Sequence, residues 1–286
     1  SIPKKCLTVK NVFKIGKIMK NFYKIYDSEE LDCILNFSFG FNGYLDNLKG
    51  LEKNKNKLNL TKFVKDQKKT KLRMKNVFHP SIKNPIKNSI NLNKNRIITG
   101  PNAAGKTTIL KATILNTIFS QQIGMGYYKK CELSPFNYIH CYINIPDTSG
   151  RDSLFQAEAR RCKDILDIIR DNPGKKHFCV FDELYSGTNP YEAISSAYGY
   201  LKYIIKNENV KFLLTTHFIN LCKLLEKEKY IENNHMHTDI KEDVPTYHYK
   251  IMKGISNVKG GITVLKELDY PSEIITSSRN IIDTLN

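Results

Sequence analysis

Apolar residues recur at three- and four-residue steps at the start of the chain: Val12, Ile15, Ile18, Met19, Phe22 and Ile25. That spacing lines one face of a helix and predicts a helical region over residues 10–50. Asp27-Ser28-Glu29-Glu30 supplies a second helix start. Leu31, Ile34, Leu35 and Phe39 then continue an apolar face, which Gly40 and Gly43 are expected to interrupt or end. Lys53 to Lys71 is polar and Lys/Asn-rich, with an apolar patch at Leu58, Leu60 and Phe63, and reads as a connector.

From Leu72 the pattern changes. Short apolar runs at 72–77, 96–99, 136–145, 177–181 and 210–214 read as strands. Helical spacing fills 107–120, 153–169 and 190–205, and His217 begins another helix. Ile109, Leu110, Ile114 and Ile118 form the expected buried side of the first of these. Tyr230–Ile231 and Tyr247–Ile251 are expected to form a late strand pair. Strands alternating with helices predict an α/β fold with a mostly parallel central sheet flanked by helices.

The loop after the 96–99 run changes the picture most. Gly100-Pro101-Asn102-Ala103-Ala104-Gly105-Lys106-Thr107 reads G-x-x-x-x-G-K-[ST], a phosphate-cradling P-loop, in the strand–loop–helix setting that motif needs. Its glycines let backbone N–H groups turn toward a polyphosphate, and the next helix aims its positive end there. Lys106 is expected to reach the β- and γ-phosphates, with Thr107 holding Mg²⁺ and Thr108 completing the loop. Phe178-Cys179-Val180-Phe181-Asp182-Glu183 delivers two acids at a strand's carboxyl end, where α/β sheets bind ligands. Asp182 fits a Mg²⁺ ligand, and Glu183 a general base for attacking water. Thr215-Thr216-His217 ends another strand and offers a histidine to sense the γ-phosphate. The three motifs have the layout of an ABC-type P-loop ATPase with ATP and Mg²⁺. No N-K-x-D guanine-reading sequence and no L-S-G-G-Q is present, which argues against a GTPase and a transporter subunit.

Charge adds a partner. The net charge is +17, and residues 1–100 carry 22 Lys and Arg against 7 Asp and Glu, so almost all of the excess lies in the N-terminal third. Such a block is a footprint for a polyanion, double-stranded DNA first. Lys outnumbers Arg, so contacts to the DNA backbone are expected. A solvated Lys/Asn-rich surface is the competing reading. No apolar run approaches the roughly 18 residues of a membrane span. Seven scattered Cys without C-x-x-C pairing fit free thiols in an intracellular, reducing compartment. Ser1 in place of Met is what a piece of a longer chain would give.

These motifs together resemble the ATPase domain of the MutS DNA mismatch-repair family, from about Leu72 to Asn286, with a weaker echo of the family's core and lever region before it. Thr99 to Thr108 is similar to T-G-P-N-x-x-G-K-S-T, Asp182-Glu183 with Gly187-Thr188 to D-E-x-x-x-G-T, and Thr216-His217 to A-T-H. Gly150 to Glu158 looks like the family's signature segment, and Gly254 to Leu268, with Gly260-Gly261, Tyr270-Pro271 and a last helix, like its dimer-stabilising end. The resemblance implies a helical lever remnant over 1–70, an ATPase domain over 71–252 and a dimerisation element over 253–286. It also implies a homodimer, or a heterodimer with a MutS-like paralogue, in which Ser153 of one subunit caps the γ-phosphate held by the other. The helix-capping role common to Ser is an alternative for Ser153.

The family commonly stacks an aromatic on adenine shortly before the P-loop. Here Pro85-Ile86-Lys87-Asn88 stands in register, so Ile86 and Asn88 are candidates to line the base, with Phe78 a substitute or a core residue. The family's mismatch-reading N-terminal domain, which carries its Phe-x-Glu wedge, is not found within this sequence. A non-hydrolysing, ATP-gated DNA-binding module is the main alternative. An SMC/Rad50-like ATPase would need long heptad arms between the two Walker motifs, which the sequence lacks.

Overall fold

The structure, a computed structural model, describes residues 9–64, 70–143, 153–241, 244–256, 258, 265–266 and 268–284. It divides into two compact units, residues 1–57 and 58–286.

The first unit contains helices α1 (Val9–Tyr26) and α2 (Glu29–Asn54). Ser28 caps α2 by accepting the Leu31 N–H at 3.3 Å, and Glu29, Glu30 and Asp32 complement the positive end of the helix. The helix runs through Gly40 and Gly43 rather than stopping there. Each glycine costs about 1 kcal/mol, too little to break a 26-residue helix at two separate points. The apolar residues that set its period, Leu31, Ile34, Leu35 and Phe39, are exposed.

The second unit begins earlier than residue 71, because Asn59–Phe63 is a strand (β1) and not a connector. It joins β2 (Leu72–Val77), β3 (Asn88–Asn91), β5 (Met125–Gly126) and β6 (Lys130–Leu133) in a small sheet of order β3-β2-β6-β1-β5, mostly antiparallel.

The larger sheet positions the site. It contains β4 (Asn95–Thr99), β7 (Tyr138–Tyr142), β8 (His177–Asp182), β9 (Val210–Thr216), β10 (Ile231–Lys241) and β11 (Val244–Lys253), in the order β11-β10-β4-β9-β8-β7. All pairings are parallel except β10 with β11. Helices α3 (Lys106–Ile123), α4 (Leu154–Asp171), α5 (Pro190–Ile204) and α6 (Ile219–Leu225) connect or follow these strands. Central strands buried on both faces read as continuous apolar runs. On β8, Phe178 and Val180 enter a core with Ile98, Ile109, Leu110 and Leu213, while Cys179 and Phe181 enter another with Ile165, Leu201 and Phe212. Ile118 is 37% exposed rather than buried, so the buried side of α3 runs through Ile109, Leu110, Ala112 and Ile114.

Among the described residues, no helix is long and apolar enough to cross a membrane. Gly150 to Asp152 and Gly260-Gly261 lie outside the described residues. The last helix spans Ser272–Thr284.

Candidate functional site

Strand register brings the chemistry to one edge. Thr99 pairs with Thr216 on one side and His235 on the other, and Asp182 pairs with Thr215. The loops leaving β4, β8 and β9 therefore open together at the carboxyl ends of parallel strands, where such sheets hold ligands.

Gly100 to Gly105 bridges β4 and α3. Gly105 precedes the helix at φ +90°, and the neighbouring Ala103 is also left-handed at φ +63°. This winding needs glycine at Gly105: a Cβ there would sit 3.1 Å from Tyr249 Cδ1 as well as in a strained backbone. Lys106 is 6% exposed. Its ammonium donates to the carbonyls of Gly100 (3.0 Å) and Pro101 (3.2 Å) and lies 3.6 Å from Glu183 Oε1. The next residue, Thr107, donates its hydroxyl to Asp182 Oδ2 at 2.8 Å, and Thr215 donates to Asp182 Oδ1. Asp182 thus faces α3 with both oxygens oriented.

Glu183 has φ +53°, an uncommon left-handed turn for a carboxylate residue, held by its N–H bond to the Thr215 carbonyl at 3.0 Å. The turn aims Glu183 at Lys106 and His217. His217 Nδ1 is 3.5 Å from Oε2, and Lys106 approaches the other oxygen. The His217 hydrogen bond holds the Glu183 carboxyl below its usual range; burial works against it, and the charges of His217 and Lys106 add to the lowering. Glu183 is therefore ionised at neutral pH.

Two pockets flank the glycine loop. One, about 280 Å³, is lined by Thr107, Tyr142, Leu154, Glu158, Asp182, Glu183 and Ser186 and is largely polar. The other, about 260 Å³, is mainly apolar, with Phe78, Ile82, Pro85, Ile86, Ala103 and Tyr249 among its walls. Ile86 is half exposed on this pocket. Asn88 touches it but is buried and already engaged. Its amide donates to the Tyr249 carbonyl (2.9 Å) and accepts from the Ile251 N–H (2.9 Å), so it ties β3 to β11 and has little left to offer a base. Tyr249 is the wall that sequence reasoning missed. Ser153 is exposed at the start of α4, in a capping box: its hydroxyl accepts the Gln156 N–H at 3.3 Å, and the Gln156 side chain accepts the Ser153 N–H at 2.9 Å. The structure thus brings together Lys106, Thr107, Asp182, Glu183 and His217, whereas Ser153 carries its capping role.

A buried strut also went unread in the sequence. Glu158 on α4 accepts the N–H and hydroxyl of Ser186 (3.1 and 2.9 Å) and the N–H of Gly187 (3.0 Å), fixing the loop after Glu183. The carboxylate's position in the S-x-F-x-x-E run was visible; its target was not.

These features define an α/β protein with a glycine loop, paired acids and a histidine gathered at one sheet edge. The chain belongs to the MutS family: the model for MutS domain V, the family's ATPase region, matches residues 96–286. Among curated relatives, it is 28% identical over 233 residues to the endonuclease MutS2 of Streptococcus uberis, covering 80% of this chain and 29% of that protein. It is 31% identical over 208 residues to the DNA mismatch repair protein MutS of Streptococcus suis, covering 70% of this chain and 24% of that protein. It is 29% identical over 240 residues to the DNA mismatch repair protein Msh3 of Dictyostelium discoideum, covering 76% and 16%. The matched region spans under a third of the length of each of these relatives.

Proposed function

We propose that this chain is the Mg²⁺-dependent ATP-binding and ATP-hydrolysing part of a MutS-like DNA mismatch repair protein, acting as a dimer coupled to DNA. The observation that carries the reading is the Thr107 hydroxyl on Asp182 at 2.8 Å, with buried Lys106 and ionised Glu183 beside it. A hydroxyl and a carboxylate are hard oxygen ligands suited to Mg²⁺. The left-handed backbone at Gly105 and the start of α3 suit phosphate oxygens, and the residues therefore fit Mg²⁺-ATP.

Thr107 and Asp182 would hold the metal, which neutralises charge on the phosphates when bound. Lys106 exchanges loop carbonyls for the β- and γ-phosphates. The loop residues Gly100, Pro101, Asn102, Ala103, Ala104, Gly105 and Thr108 line the phosphate path, and the pocket beside Ile86 and Tyr249 takes the base. Glu183 orients water and accepts its proton, while half-exposed His217 senses the γ-phosphate. The Ser153 oxygen accepts one bond within its capping box and keeps its own proton to donate, which suits it to cap a nucleotide held by a second subunit. The basic N-terminal third supplies contacts to double-stranded DNA. Free thiols at Cys33, Cys131, Cys141, Cys162, Cys179 and Cys222 suit an intracellular, reducing compartment.

Steady-state phosphate release with and without double-stranded DNA tests the reading. Wild type should turn over, Lys106→Ala should lose nucleotide binding or hydrolysis, and Glu183→Ala should bind ATP without hydrolysing it. ATP binding without release in wild type would instead make this a nucleotide-gated assembly module.

A further inference from the structure

The β10–β11 hairpin carries a group of side chains that the nucleotide site does not use. His237 and Asp239 stand two apart on β10 and so share a face. Opposite them the register shifts: Met236 faces Ile251 but Thr238 faces Tyr247, leaving residues 248–250 as a bulge on β11. Bulges re-aim side chains, and here His248 reaches the same carboxylate as His237. The two imidazoles stack with centroids 4.4 Å apart and 17° between their planes. His248 Nε2 lies 2.8 Å from Asp239 Oδ2, and His237 Nε2 lies 3.8 Å from Asp239 Oδ1. One ligand atom from each residue falls within 4.8 Å of the other two.

This geometry is close to that of a coordination sphere. Tetrahedral bonds of 2.0–2.2 Å to zinc separate neighbouring ligand atoms by about 3.4 Å. The 2.8 and 3.8 Å separations lie on either side of that value but reach different oxygens of Asp239, so binding requires side-chain rotations that bring both imidazoles and one carboxylate oxygen around the ion. The bulge that holds His248 is itself anchored, by the Asn88 amide on the Tyr249 carbonyl and Ile251 N–H and by Lys250 on the Lys87 carbonyl. All three ligands are partly exposed, which leaves the remaining coordination position to water. Two imidazoles and a carboxylate favour zinc-class ions over Mg²⁺ or Ca²⁺, which prefer all-oxygen sites. A surface hydrogen bond between His248 and Asp239 alone would not bring a second imidazole nitrogen toward the same carboxylate.

We propose that His237, Asp239 and His248 form a binding site for a divalent first-row transition-metal ion of the zinc class, separate from the Mg²⁺ position at Thr107 and Asp182. Titration of the metal-stripped 286-residue chain with Co²⁺, followed by visible absorption and by displacement with Zn²⁺, tests this. One Co²⁺ per chain is expected, with d–d bands and without the near-ultraviolet charge transfer of thiolate ligation. His237→Ala and His248→Ala should each weaken binding at least about tenfold, whereas Asp182→Asn should leave it unchanged. Melting in metal-free buffer verifies that each variant folds, with His237→Gln and His248→Gln replacing any alanine variant that does not. No saturable Co²⁺ binding, thiolate bands, or wild-type affinity in a folded His237/His248 double variant would overturn the proposal.

Discussion

The Glu158 carboxylate, 2% exposed on α4, receives three hydrogen bonds from Ser186 and Gly187, and so couples the helix that begins beside Ser153 to the loop that follows Glu183. Removing it leaves the N–H and hydroxyl of exposed Ser186 and the N–H of half-buried Gly187 without their partner. Glu158→Ala should lower stability by about 3 kcal/mol, given 1–3 kcal/mol for each unsatisfied polar group and partial rescue by water. Urea unfolding reads that loss. ATP turnover should fall with it, because Glu183 sits at the start of the freed loop.

Gly187 also packs against the start of the same helix. A Cβ there would lie 2.7 Å from Leu154 Cγ and 2.8 Å from the Phe155 nitrogen. The second of these is backbone and cannot rotate away. Gly187→Ala should therefore displace the start of α4, costing roughly 1–3 kcal/mol as overpacking does. Thermal melting gives the cost, and unchanged melting would mean that the α4 start yields freely.

The glycine loop, the acids and the histidine were legible in the sequence because each follows an apolar run, and parallel strands buried on both faces must read that way. Strand order then puts their carboxyl ends together without further information. β1 was not legible. Asn59–Phe63 is short and polar, and its partner Cys131–Leu133 lies some seventy residues on, so only tertiary pairing makes it a strand. Tyr249 and His248 were hidden for a related reason: a bulge depends on register between two strands, which periodicity along one strand does not contain. Asn88 was read toward the base, yet the unpaired backbone of that bulge claims its amide first.

A pair of buried histidines makes the fold acid-sensitive. His140 Nε2 lies 3.1 Å from His177 Nδ1, and His177 Nε2 lies 3.1 Å from the Asn172 carbonyl, a chain that suits two neutral rings each protonated on Nε2. Burial, helped by His177 and Arg161, pushes His140 down to about 4 from its usual 6.5. The unfolded chain then binds a proton that the folded one refuses. Stability from this group is complete above pH 6.5 and is lost as pH falls toward 4, by roughly 3 kcal/mol. Urea midpoints at pH 7 and pH 4.5 should differ accordingly, and His140→Gln should flatten the difference.

Tyr249 closes the apolar pocket against the glycine loop, with its ring edge 3.1 Å from where a Gly105 Cβ would be and its backbone at φ +53° in the β11 bulge. An aromatic face there suits a purine, and such contacts contribute about 1 kcal/mol beyond burial. Tyr249→Ala should weaken adenine-nucleotide binding about fivefold. Phosphate release at saturating ATP should change less than about twofold, because no reacting group touches the ring. Equilibrium titration with a fluorescent ATP analogue measures the first effect and steady-state kinetics the second. Wild-type affinity in this variant would move the base out of the pocket lined by Phe78 and Ile86.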